Sequence, residues 1–473
     1  MGKFMKKEIT KNIVLITLIL SSVLLFMQIS FGEKLWPQGY NFFRFDGMAI
    51  LQSLGFGEQE EPVVLSDVMA PQQIIITTGG KRLIAEENMS EYEDYYHTIL
   101  NLTQGFFNSG GKITLSNREE WRSAIKTNSI YINYSTAFNS TMWAKFLNYD
   151  PAILVDVNSV KNIVINTDTI LKKVVLYVKD NQTETYYRIV TAGDAGSMDQ
   201  FLSDVRSSQQ MSNIPFAFEI GFDRSVDPGM TINLTNNTVE HIEMNPFGGF
   251  TDELFDKFLQ SFGMNKSTTK RYVESDNVTQ GLGTHHTFKM YPQGCIEYQA
   301  IEETYGVQLY DTTKDKLDTV LTASYDFANT ILRSSDTNVT MLVSQGFKDE
   351  VKPGESRKVC FDYYVDALPV YYVDQSDPQT ISHAVEMDVV DGRIVRYRQM
   401  LNLARTEGSV SFIPMIKALD KVFSMEEVAY AEVYTAYVHD GIQTRPVWCM
   451  RDKQSDNVTI LYENDMDNGE ENE

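Results

Sequence analysis

Residues 384–402 read AVEMDVVDGRIVRYRQMLN. Asp391-Gly392 divides this stretch into Ala384–Val389 and Arg393–Asn402, and an Asp-Gly pair accepts the positive φ angles of a two-residue turn that matches strand twist. The reading is an antiparallel hairpin. A second one follows, with Asp440-Gly441 joining Val428–Val438 to Thr444–Met450, and a helix over Ile413–Phe423 is expected between them. Together with a helix over Lys314–Leu332 these elements make a C-terminal α+β unit, residues 313–462.

Working back along the chain, Pro215 opens a central unit, residues 213–312, which ends the N-terminal one at 62–212. Its expected strands are Phe216–Ile220, Met230–Leu234, Arg271–Glu274, Thr287–Tyr291 and Cys295–Ala300, with an amphipathic helix over Asp252–Phe262 that carries Leu254, Phe255, Phe258, Leu259 and Phe262. In the N-terminal unit, Gln73–Thr77 is a β-branched strand broken by Gly79-Gly80. Ser90-x-x-Glu93 and Ser116-x-x-Glu119 read as capping boxes that start two helices. Ile130–Tyr134 follows as a strand, then a meander of Ile163–Asn166, Val174–Lys179 and Thr185–Val190, and a short helix near Met198–Val205. The fold class is therefore α+β: antiparallel sheets with packed helices in an elongated ectodomain.

The N-terminus supplies the anchor. No charged residue occurs from Asn12 to Gly32, and about 20 apolar residues in a helix cross a bilayer core of roughly 30 Å. Lys3, Lys6, Lys7 and Lys11 precede the run against the single Glu8, and Glu33 follows it. That bias puts residues 1–11 in the cytoplasm as a stub, 12–32 across the membrane, and the bulk outside as a single-pass protein. The competing reading is a signal peptide cleaved near Ser30-Phe31-Gly32. The apolar run exceeds the roughly 7–15 residues of a signal core, so a retained anchor is expected. Residues 33–61 read as a juxtamembrane stalk and 463–473 as an acidic disordered tail. Within the span, Thr17, Ser21 and Gln28 share one helical face, the pattern by which helices associate in lipid. The plainer account is that isolated Ser and Thr are harmless there.

Acidic residues number 64 against 41 basic ones, a formal net charge of −23. A phosphate backbone would be repelled, which excludes nucleic acid as a partner. Cys295, Cys360 and Cys449 have no metal-ligand spacing and read as buried core residues, though one disulfide is compatible with the sequence. Eleven Asn-x-Ser/Thr sequons occur. They fit either a glycoprotein or a chain merely rich in these residues, and the few Cys and Pro favour the second.

Catalytic signatures are sparse. Ser267-x-x-Lys270 and Ser275-Asp276-Asn277 match two of three motifs of penicillin-binding proteins, but they lie too close together to form opposite walls of a cleft. No Lys-Thr-Gly or Lys-Ser-Gly follows. His285-His286 cannot chelate one ion from opposite sides of a strand. No catalytic, cofactor-binding or metal-ligating residue is assigned, and no cofactor is expected.

The order of segments resembles the YycH family of Gram-positive regulators. The resemblance rests on Pro71-Gln-Gln-Ile-Ile-Ile, Glu120-Trp121 leading to Ile130-Tyr-Ile-Asn-Tyr, Arg271-Tyr-Val-Glu-Ser-Asp, Phe288-Lys-Met and Gly294-Cys-Ile-Glu-Tyr298. Asp366-Ala-Leu-Pro-Val370 and Asp391-Gly-Arg-Ile-Val-Arg-Tyr397 continue it, and Arg445-Pro-Val-Trp448 is similar to the closing strand shared with YycI regulators. The family's Tyr-x-Asp-Gly is replaced here by Gln280-Gly-Leu-Gly283, as in a distant member. The resemblance implies a non-enzymatic regulator of the WalK (YycG) sensor histidine kinase, which controls cell-wall hydrolases. The implied contacts run through the transmembrane helix and ectodomain, with a YycI-like protein as a further partner. The alternatives are an anchored cell-wall enzyme and a surface protein that binds wall fragments.

Overall fold

Ile74, Ile75 and Ile76 are all fully buried, as a strand covered on both faces requires. They lie at the centre of β1 (Pro71–Thr78), which turns at Gly79-Gly80, both with positive φ, into β2 (Lys81–Ala85). The computed structural model describes residues 64–462 apart from 86–88, 169, 209, 223–228, 233–237, 247–250, 275, 313–315, 334–338, 345–350, 375–376, 425–430 and 453–456. The expected span with Thr17, Ser21 and Gln28, the stalk and the tail lie outside the described residues. No helix among the described residues is long and apolar enough to cross a membrane.

The first sheet adds β3 (Gly111–Ser116), β4 (Ser129–Asn139), β5 (Ser159–Asp168), β6 (Lys173–Asp180) and β7 (Thr185–Asp194), in the order β2-β1-β4-β5-β6-β7-β3. Its helices are α1 (Leu65–Val68), α2 (Tyr92–Asn108), α3 (Arg118–Lys126), α4 (Ser140–Phe146) and α5 (Gly196–Ser207). Strand alternation divides them between two faces. Ile74, Ile76, Ile130, Ile132, Ile163 and Ile165 share a core with α2, α4 and α5. Ile75, Tyr131, Val164 and Val175 pack with Trp121, Ala124 and Ile125 of α3.

The second sheet holds β9 (Lys270–Val273), β10 (Thr279–Leu282), β11 (His286–Met290), β12 (Cys295–Ala300), β13 (Val307–Gln308), β14 (Thr340–Val343), β15 (Arg357–Val365), β16 (Leu368–Asp374), β17 (Asp377–Ser382), β18 (Val385–Val390) and β19 (Arg393–Met400), with β21 (Ala431–His439), β22 (Thr444–Asp452) and β23 (Val458–Leu461). Its main order is β23-β22-β21-β16-β15-β18-β19-β12-β11-β10-β9. β8 (Thr238–Pro246) and β20 (Asn402–Ser411) pair separately. One face carries α6 (Asp252–Ser261) and α7 (Leu317–Arg333), and α8 (Met415–Ser424) packs on β21 and β22 through Leu419, Val433 and Trp448. Phe262, just past α6, anchors the first contact: its ring stacks on Tyr298 at 4.7 Å and meets Phe288, Phe327 and Tyr397 within 5.4 Å.

The Asp391-Gly392 hairpin forms as expected, with φ of 44° and 72° at the two turn residues. The Asp440 turn is longer: its carboxylate accepts from the backbone N–H groups of Ile442 and Gln443, both at 3.0 Å. Both capping boxes are displaced. Ser116 donates to the Glu120 carboxylate, while Asn117 caps α3 by accepting from Glu120 N–H at 2.9 Å. Ser90 donates to Glu91 instead of capping α2. The strand expected at Phe216–Ile220 is a 3₁₀ helix over Ala217–Ile220, because Glu219 folds back to accept from Phe216 N–H and Gly221 ends the turn at φ 100°. Among the described residues the strand pairs are antiparallel apart from the parallel pair β16–β21. β8 and β10, absent from the sequence reading, are strands.

Candidate functional site

Alternation along five strands sends every second side chain to the face of the second sheet away from α6 and α7. Register arranges these side chains in rungs. In one, Lys289 lies opposite Glu297, Glu297 opposite Arg398, Arg398 opposite Glu386, and Glu386 opposite Cys360. In the next, Thr287, Gln299, Arg396, Asp388 and Lys358 succeed one another across the same strands. Charge alternates in sign along each rung, and opposite charges directly across a pair contribute roughly 0.2–1 kcal/mol each. Over this face lies a cleft of about 470 Å³.

Pairing within the ladder is uneven. Lys358 reaches Glu386 at 2.9 Å, Tyr291 donates to Glu297 at 2.7 Å, and Lys289 lies 3.5 Å from Glu274. Arg398 takes what is left, 4.0 Å from Glu297 and 3.9 Å from Glu386. Both separations exceed hydrogen-bond reach. Among the described residues its Nη1 is buried with no hydrogen-bond partner, and Nη2 meets the Met400 sulfur at 3.8 Å. Burial opposes the charge on Glu386, yet Lys358, His383 and Arg398 outweigh it and hold the carboxyl below its usual range. Lys358 is raised in turn, against its own burial, by Glu386.

At the margin of the cleft, Ser344, Asp362 and His383 close a triangle. Ser344 Oγ lies 2.5 Å from one Asp362 oxygen and 2.8 Å from His383 Nδ1, and Nδ1 lies 2.9 Å from the other Asp362 oxygen. A hydrolytic triad uses the two ring nitrogens for different partners. Here serine and aspartate share one nitrogen, so the geometry is that of a buried structural knot. No sequence signal pointed to it: β14 and β15 and the turn before β18 bring the three together. Burial pulls the His383 pKa down, but the hydrogen bond and charge of Asp362, with Glu386, outweigh that and the opposing Lys358, and raise it. A raised folded pKa means stability that is full below the unfolded value of 6.5 and is lost as pH climbs through the folded value. Denaturant titrations at stepped pH should therefore show native protein losing stability above pH 6.5 relative to His383→Gln. Parallel profiles would refute the assignment.

The motif residues read from the sequence do not assemble. Ser267 is exposed and donates to Asn265 at 2.8 Å, Lys270 is exposed at the start of β9, and Asn277 occupies the β9–β10 turn at φ 63°. His285 stacks on Tyr305, while His286 Nδ1 meets the Tyr298 hydroxyl at 2.9 Å, with the two imidazoles at 88° to one another. No group of three or more His, Cys, Asp or Glu fit to hold a metal occurs among the described residues. Cys295, Cys360 and Cys449 are buried free thiols, as the core reading expected, and burial pushes the first two up to about 11 and about 12. Two sequon asparagines have structural duties: Asn133 is buried, and Asn139 caps α4 by accepting from Met142 N–H.

A second polar region joins the two sheets. Lys161 of β5 pairs with Glu432 of β21 at 2.7 Å, Ser135 of β4 donates to the Val343 carbonyl at 2.7 Å, and Arg451 of β22 donates to the Ser135 carbonyl at 3.1 Å.

No family model matches the chain, and no curated protein matches it. Among solved structures the chain is similar to the crystal structure of YycH from Bacillus subtilis, with 12% identity and a TM-score of 0.53. The match covers 86% of this chain and 99% of that one. The segment order that resembled the YycH family thus extends to the fold.

Proposed function

We propose that this chain is a membrane-anchored extracytoplasmic regulator that binds a WalK-like sensor histidine kinase and tunes its control of cell-wall metabolism. The observation that carries the reading is the fold likeness to YycH, which runs through nearly the whole of that chain. The mechanism is differential binding: contacts made better with one kinase conformation than another shift its equilibrium, and a few kcal/mol suffice. Residues 12–32 are the membrane span in this reading, Thr17, Ser21 and Gln28 form its docking face, and a YycI-like protein is a further partner. Membrane cross-linking with identification of the captured protein tests it, with the kinase as the expected product. Substituting Thr17, Ser21 and Gln28 together by Leu should lower kinase recovery about tenfold, since polar contacts between membrane helices contribute roughly 0.6–2 kcal/mol each. Unchanged recovery would remove the helix face from the mechanism, and capture of no kinase would remove the regulatory reading.

A further inference from the structure

We infer that the cleft over the charged sheet face is a binding site for a short ligand bearing an anionic group, a carboxylate or a phosphate, held between Arg396 and Arg398. The inference does not rest on the regulatory reading.

Donors and acceptors along the ladder are unevenly matched. The carboxylates beside Arg398 are engaged elsewhere at shorter range, Glu386 by Lys358 at 2.9 Å and Glu297 by the Tyr291 hydroxyl at 2.7 Å. A guanidinium has five N–H donors, and a buried donor left unmade carries the full penalty of its desolvation. At Arg398 Nη1 no hydrogen bond is made among the described residues, and the near carboxylates stand off at 3.9 and 4.0 Å from the guanidinium. Arg396 lies two positions along the same strand, on the same face, exposed, and without an ion pair among the described residues. Residues i and i+2 of a strand stand about 7 Å apart. Two guanidiniums at that spacing can close on one carboxylate or phosphate from both sides, each with paired N–H groups.

Size and field limit the ligand. The cavity of about 470 Å³ falls within the range of small-molecule sites, roughly 300–1,000 Å³. A long polyanion would meet the repulsion of a chain with a net charge of −23. A short one spends its bound state within about 8 Å of the cleft, inside which the local cations act before salt screens them. Lys289 and Lys358 flank the pair, and Glu297 and Asp388 beside them favour a ligand that also carries a positive group.

Calorimetric titration of the full-length chain in detergent at low salt tests the site, with triglutamate, triglutamine and inorganic phosphate as probes. Triglutamate, phosphate or both should bind saturably at one per chain, triglutamine should not, and added salt should weaken binding. Arg396→Gln and Arg398→Gln should each weaken it about tenfold, the loss of one charge-assisted contact. Lys270→Gln, exposed on the edge strand, should leave it unchanged. Preference for triglutamate identifies an acidic peptide, and preference for phosphate a phosphate-bearing compound. The site is overturned if neither anion binds, if Arg396→Gln binds as the native chain does, or if Lys270→Gln weakens binding equally, the mark of a diffuse field. Should Arg398→Gln fail to fold, Arg396→Gln decides, because its side chain is exposed and makes no ion pair among the described residues.

Discussion

Trp143→Ala is expected to destabilise residues 63–473 by about 4–6 kcal/mol, from a large buried-aromatic truncation plus an orphaned carbonyl. Trp143 is fully buried and its ring meets Tyr134 at 4.7 Å, Phe146 at 5.6 Å and Phe138 at 6.4 Å. Its indole N–H donates to the Val160 carbonyl at 3.0 Å, tying α4 to β5. Truncation removes the edge-to-face cluster and leaves the carbonyl without that donor. Trp143→Phe separates the two contributions: most of the packing survives, and the loss should fall to about 1–3 kcal/mol. Denaturant unfolding provides the measurement. Equal losses for the two variants would show that the hydrogen bond carries the site, and a loss under about 2 kcal/mol for the alanine variant would show that the cluster collapses to fill the gap.

Lys161→Met should cost about 3–5 kcal/mol, because it removes the cation that Glu432 meets at 2.7 Å between the two sheets. The side chains are 6% and 15% exposed, and Asn133 also approaches Glu432, at 3.4 Å. Pairing Lys161→Met with Glu432→Leu should restore most of the loss, since an apolar pair of similar volume avoids the desolvation that the ions incur. The exposed Lys257, paired with Glu253 one turn earlier, is the contrast: its replacement should cost under about 0.5 kcal/mol. A small effect at Lys161 would mean that solvent reaches the junction.

Much of the fold was legible because local signals agree with it. Asp391-Gly392 dictates its hairpin, and the apolar stripe from Leu254 to Phe262 buries as a helix stripe must. Errors fell where two local signals compete over one or two residues. Asn117 outcompetes Ser116 as a cap because it is the residue whose extended backbone immediately precedes the helix. Phe216–Ile220 has a strand's composition, yet the return of Glu219 to the Phe216 N–H turns it into a helix. The charged face was illegible for a different reason. Glu297, Arg398 and Glu386 become neighbours only through the pairings β12–β19 and β18–β19, and register between strands distant in sequence leaves no local trace. The Ser344–Asp362–His383 triangle was hidden in the same way.

The position of β19 also bears on how the second sheet closes. β19 pairs on one side with β18, its hairpin partner, and on the other with β12, made much earlier. Without β19 the β9–β12 meander would present β12 as an open edge, and open edges recruit other chains. β19 covers that edge and joins early and late parts of the chain in one sheet, so the turn at Asp391-Gly392, by fixing the register of β19, guards against association as well as making a corner.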